Sequence, residues 1–157
     1  MEDYLNILHF CLYKVHYKLY LVTKRLNPFR LLFKIPIVKR RAERESIDLD
    51  LSVDTAFADK RFGLSTVAAG GFLWGGIFTF FFSVLMMLKI AISTPLIAGC
   101  GIGAGLICYV FVFKQDKYIK YFDKYEKWSG KEKRKYGWLT IGSILFVLLT
   151  FYICLIS

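Results

Sequence analysis

Proline, cysteine and histidine are scarce in this chain of 157 residues, at three, four and two copies. So little proline excludes a collagen-like or Pro-rich low-complexity chain. The cysteines, Cys11, Cys100, Cys108 and Cys154, show no C-x-x-C spacing and give neither a disulfide framework nor a metal site. Catalytic patterns are missing too: no HExxH, phosphate loop, Ser-His-Asp arrangement or paired carboxylates stand in a plausible context. An enzyme is not expected, nor a cofactor. The most informative absence is charge. Residues 64–88, 90–113 and 137–156 contain no Asp, Glu, Lys, Arg or His.

What remains is apolar and basic. Hydrophobic residues make up 56%, aromatic residues 18%, and 22 Lys and Arg stand against 12 Asp and Glu, net +10. That hydrophobicity excludes disorder. A membrane helix needs about 20 apolar residues to cross a core of about 30 Å, and each uncharged run supplies them. The expected fold is an all-α integral membrane protein with three transmembrane helices. A short-turn hairpin occupies 64–113 and a C-terminal span 137–157. A basic, amphipathic N-terminal region over 1–63 and a juxtamembrane helix and loop over 114–136 lie in the cytoplasm. The hairpin turns over 89–95, with Pro95 in the first turn of the second span, where a missing N–H is harmless.

The positive-inside rule sets the orientation. Twelve Lys and Arg fall in 1–63, one (Lys89) in the hairpin turn, nine in 114–136 and none after. The N-terminus is therefore expected in the cytoplasm, the Lys89 turn and C-terminus outside, and the location is a bacterial inner membrane. Met1-Glu2-Asp3 is acidic where a signal peptide would be basic, so no cleavable signal is expected. The final Cys154-Leu-Ile-Ser157 matches a prenylation box, but at the outer end of a span it reads as coincidence.

Leu5, Leu8, Leu12, Val15, Leu19, Val22 and Leu26 alternate in threes and fours, one stripe of a helix over 4–26. This stripe suits an interfacial or bundle-packing helix better than a coiled coil. His9 and His16 share a face of it without a third ligand nearby, and read as interfacial histidines. Asn27-Pro28 opens a short helix over 28–35, stopped by Pro36. Ser46 to Asp54 alternates apolar and polar residues, a strand signal; Asp54 or Thr55 then caps a helix over 56–62. Residues 114–128 extend the second span, with Tyr118, Tyr121, Phe122, Tyr125 and Trp128 on one face. Ser129 and Glu132 form a capping box for the helix feeding the third span, where Tyr136 and Trp138 serve as interfacial anchors.

Small residues mark the packing surfaces. Gly99, Gly101, Gly103 and Gly105, and Gly71 with Gly75, are small-xxx-small pairs that let backbones approach. Close packing of that kind needs neighbours, so a homo-oligomer is expected. On a helical wheel Gly75, Gly76, Thr79 and Ser83 share one side of the first span, interrupted by Phe72. These five are the candidate pore-lining residues. The absence of an ionisable group in the spans argues against a coupled transporter.

The densest charge cluster contains Lys39, Arg40, Arg41 and Arg44, the candidate contacts for phosphate or another anion. With the bases of 114–136 it forms a cytoplasmic collar whose field attracts anionic partners: anionic lipid first, nucleotide or nucleic acid second. In architecture, though in no diagnostic motif, a small multi-span protein with a basic collar resembles the membrane effectors of bacterial anti-phage systems. The resemblance implies an oligomeric, channel- or pore-like effector gated through the collar by an anionic ligand or partner. The rival expectation is a non-enzymatic structural subunit of a secretion or conjugation complex, with the collar docking a soluble protein.

Overall fold

A computed structural model describes residues 1–24, 35–45 and 48–156. Among these residues all regular structure is helical. The order is α1 (Glu2–Thr23), α2 (Pro36–Arg44), α3 (Leu49–Ala58), α4 (Leu64–Met87) and α5 (Thr94–Cys108), then a π-helical turn (Tyr109–Phe113) and a 3₁₀ turn (Lys114–Asp116), and finally α6 (Lys117–Glu126) and α7 (Gly130–Ile156). Residues 28–34 of the helix expected over 28–35, and Leu26 of the leucine stripe, lie outside the described residues; Pro36, expected to stop that helix, instead opens α2, with Ile35 as its N-cap.

Three helices are long and apolar enough to cross a membrane: α4 with 24 residues, the run Thr94–Glu126 with 33, and α7 with 27. Their exposure fits that environment. Only Thr140 is buried in α7, while Leu145, Phe146, Leu149 and Tyr152 are each more than half exposed. A helix apolar all round and bare on most sides needs lipid or other helices against it.

The chain divides into two compact units, one of residues 1–12 and 69–157, the other of residues 13–68, with boundaries inside α1 and α4. In the smaller unit, α3 takes up the described part, from Asp48 on, of the strand expected over 46–54; residues 46 and 47 lie outside the described residues. Asp48 accepts from the Leu51 N–H at 3.0 Å as an N-cap. Without a partner strand the alternating segment has nothing to satisfy its backbone, whereas a capped helix satisfies it internally. Asp54 is consequently no cap. It lies within α3, where its carboxylate takes the Tyr20 hydroxyl and the Lys24 ammonium. The Tyr20 ring stacks on Phe57 at 3.9 Å and the Tyr13 hydroxyl donates to the Ala58 carbonyl at 3.2 Å. Nor does a helix cover 56–62: α3 ends at Ala58, and the buried Gly63 would place a Cβ 2.2 Å from the Asp59 oxygen.

In the larger unit, the turn between α4 and α5 carries Lys89 at φ 52°, and Pro95 stands in the first turn of α5 as the sequence implies. The glycine face of α5 receives the aromatic face of α4. Cβ positions at Gly101 and Gly105 lie 3.7 Å from the Trp74 ring, that at Gly103 lies 3.7 Å from Phe81, and Trp74 Nε1 donates to the Gly101 carbonyl at 3.0 Å. The second long apolar helix does not run straight into 114–128. The π turn adds a residue, and Gln115 and Asp116 adopt left-handed backbone, φ 59° and 54°, which redirects the chain before α6. This bend turns Tyr118, Phe122 and Tyr125 into the core.

The N-terminal half of α1 meets that aromatic face. His9 lies fully buried with ring centroids 5.4 Å from Phe113, 5.6 Å from Tyr118 and 5.2 Å from Phe122. Phe10 packs edge-on to Phe122 and Tyr125. The leucine stripe is therefore not the main buried face of α1. Leu5 is buried, but Val15, Leu19 and Val22 are 64%, 58% and 81% exposed, while Asn6, His9, Phe10, Tyr13 and Tyr20 are inside. Large rings bury more apolar area than leucines and find edge-to-face partners, so they win the interior.

Candidate functional site

The site begins with how α4 and α7 run together. They are parallel: Phe80 faces Phe146 and Phe82 faces Phe151, each pair with centroids 6.4 Å apart. Cys154 Sγ donates to the Ser83 carbonyl at 3.4 Å. Toward their N-terminal ends the two helices part. Nothing lies within 4 Å of a Cβ placed at Gly71, Gly75, Gly76 or Gly142. The first half of α1 covers the gap with Tyr4, Leu5, Leu8 and Leu12. The result is a groove of about 780 Å³ whose lining carries no charged side chain. That volume falls within the roughly 300–1,000 Å³ typical of ligand sites.

The groove is graded along its length. Hydroxyls stand from the start of α7 to mid-groove: Thr140 Oγ1 donates to the Tyr136 carbonyl at 2.9 Å, Ser143 Oγ donates to the Leu139 carbonyl at 2.7 Å, and Tyr4 Oη lies 2.6 Å from Ser143 Oγ. At the other end Ile77, Phe80, Phe146 and Leu148 make an apolar floor. The sequence-predicted lining residues are divided by this geometry. Phe72, Gly75, Gly76 and Thr79 line the groove, with Phe72 63% exposed. Ser83 does not line it. Its side chain is fully buried and its hydroxyl donates to the Thr79 carbonyl at 2.8 Å. The packing glycines divide likewise: Gly101, Gly103 and Gly105 face α4 of the same chain, Gly71 lines the groove, and Gly99 faces open space.

The four basic candidates share α2, where both termini of the helix are described. Lys39 pairs with Glu43 at 3.9 Å and Arg41 with Glu45 at 3.2 Å, both one turn apart on an exposed surface. Such pairs contribute about 0.3–0.5 kcal/mol and leave the bases open to other anions. Arg40 and Arg44 are exposed, and Arg41 and Arg44 stand in the last turn, where cations complement the helix dipole.

At the head of α1, Glu2 accepts from Lys117 Nζ at 2.8 Å and from the Tyr121 hydroxyl at 3.1 Å. The Lys117 ammonium bonded to it holds this carboxyl below its usual range. Burial pushes the Cys11 thiol up, against any role as a reactive thiolate. His16 contacts the Ser65 hydroxyl through Nδ1 at 3.1 Å and stacks on Phe57, a structural placement. The capping box is formed as expected, with the Ser129 N–H donating to Glu132 Oε2 at 2.8 Å. Trp128 stacks between Tyr125 and Tyr136, both at 4.2 Å, while Trp138 is 68% exposed.

Sequence reasoning missed the contribution of α1 to the groove. Leu5, Leu8 and Leu12 are visible as a stripe, but nothing in their spacing says that they roof a gap between two apolar helices. No known family, curated protein or solved structure matches this chain.

Proposed function

We propose that this chain is a self-assembling integral membrane protein of the bacterial inner membrane, acting as a channel-like effector in the manner of anti-phage membrane effectors. The observation that carries the reading is the uncharged, glycine-lined face of α4, open in the single protomer and bearing Phe72, Gly75, Gly76 and Thr79. Three spans enclose no aqueous path by themselves, so a conduit lies where copies meet. A ring of Thr79 hydroxyls and glycine backbone discriminates weakly between ions, and a ring of Phe72 side chains can close such a path by dewetting. The bases of α2 and of residues 114–136 form the cytoplasmic collar through which an anionic ligand, a nucleotide or short oligonucleotide, sets the gate.

The test is conductance of the purified protein in planar bilayers, with and without short oligonucleotides and nucleotides, alongside the mass of the detergent-solubilised particle. An oligomer that conducts, with Thr79→Leu reducing unit conductance, supports the reading. A silent, intact oligomer turns it toward a structural subunit of a secretion or conjugation complex.

A further inference from the structure

We infer that the groove between α4, α7 and the first half of α1 is a binding site for one acyl chain of an anionic phospholipid from the cytoplasmic leaflet. The inference rests on the membrane placement proposed above and not on conduction. Its first support is length. The groove follows α4 from Gly71 to Phe80 and α7 from Leu139 to Leu148. At a rise of 1.5 Å per residue each stretch is about 14 Å long, close to half of a hydrocarbon core of about 30 Å. Beyond it the helices close on each other at Phe82–Phe151 and at Cys154–Ser83. A gap that spans one leaflet and shuts near the midplane fits a single lipid tail.

Polarity gives the direction. Thr140 stands near the start of α7 and the Tyr4–Ser143 pair at the middle of the groove, and the floor of Phe80, Phe146 and Leu148 lies deeper. A lipid tail covers that apolar floor with its head toward the start of α7, where the lysines of that helix lie. The gap is lined mostly by glycine, aliphatic and aromatic side chains, which hold water poorly. Left bare it would forfeit contact with everything around it.

Charge selects the headgroup. Lys131, Lys135, Leu139, Gly142 and Phe146 repeat at intervals of four, four, three and four, which places them on one stripe of α7. The last three line the groove, and the two lysines, both exposed, continue the stripe toward the headgroup level. A phosphate joined to a tail in the groove therefore meets two ammonium groups. Lys135 sits 5.8 Å from the Tyr136 ring centroid, which leaves its ammonium at an aromatic and lipid-facing border. A tail so placed covers Gly75 and Thr79, so lipid and a conduit lined by those residues compete for one face.

The experiment is native mass spectrometry of the full chain in detergent, titrated with dioleoyl phosphatidylglycerol or dioleoyl phosphatidylcholine. Wild type is expected to retain phosphatidylglycerol about tenfold better than phosphatidylcholine. Gly75→Leu with Gly142→Leu fills the groove and is expected to lose bound lipid of both kinds. Gly99→Leu, which faces open space elsewhere, retains it. Should the filled variant not fold, the exposed pair Lys131→Glu and Lys135→Glu decides: it keeps the fold and loses the preference for phosphatidylglycerol. Equal retention of the two lipids by wild type overturns the proposal, as does undiminished binding in the filled or charge-reversed variants. A filled variant that binds lipid normally but changes its oligomeric mass assigns the groove to a second copy. Lipid retention is read without current, so its failure and that of the conductance test are separate results.

Discussion

The side-chain amide of Asn6 donates to the Phe111 carbonyl at 2.9 Å, linking the first turns of α1 to the π-helical turn after α5. The same amide donates to the Glu2 carbonyl at 2.9 Å. A π turn displaces backbone carbonyls from their normal helical partners, and a buried carbonyl left without a donor is costly. Asn6, fully buried, supplies that donor across 105 residues of sequence.

Removing it should loosen the bend. Asn6→Ala is expected to destabilise the protein by about 1–3 kcal/mol, the cost of stranding a buried polar group. Thermal unfolding in detergent measures the loss. Hydrogen exchange at residues 109–116 should quicken in the variant, and unchanged exchange there would show that the π turn stands without Asn6.

Stability at acid pH should depend on Glu2. Its folded pKa lies below the ordinary 4.5, chiefly through the hydrogen bond from Lys117. A depressed carboxyl pKa contributes stability that is present above 4.5 and is lost as pH falls through the folded value. Melting temperatures of wild type and Glu2→Gln, taken from pH 6 to pH 3, should therefore differ most at pH 6 and converge at the acid end. Parallel curves would disprove the linkage.

The α4–α5 hairpin should tolerate little at its glycine face. Leucine at Gly101 or Gly105 drives its branched end into the Trp74 ring, already 3.7 Å from each Cβ position, at an overpacking cost of about 1–3 kcal/mol. Gly99→Leu meets no atom within 4 Å and should change melting little. The ordering Gly101→Leu and Gly105→Leu well below Gly99→Leu, read from detergent melts, is the check.

Orientation is open to thiol labelling. With the four cysteines replaced by serine, Ser93→Cys in the hairpin turn should react with a membrane-impermeant maleimide on intact spheroplasts, and Ser129→Cys only after permeabilisation. The reverse pattern would invert the collar and remove the cytoplasmic ligand from the proposed function.

Composition and local pattern determined much of this protein. Three uncharged runs of membrane length define three apolar helices because a helix satisfies its own backbone wherever water is absent. The Ser129–Glu132 box and Pro95 place two helix starts, since caps and proline act within a single turn. Tertiary structure decided what depends on partners distant in sequence. The segment at 46–54 has strand periodicity, but a strand exists only with another strand to pair, and Asp48 caps a helix instead. The leucines of α1 form the neater stripe, yet the rings of α6 draw His9 and Phe10 inward, because buried area and ring geometry outweigh regular spacing. Ser83 shares a wheel face with Thr79, but the approach of α7 buries it. The groove itself is invisible in the sequence: glycines announce room beside a helix, and only the splay of α4 from α7 decides whether a neighbour fills it.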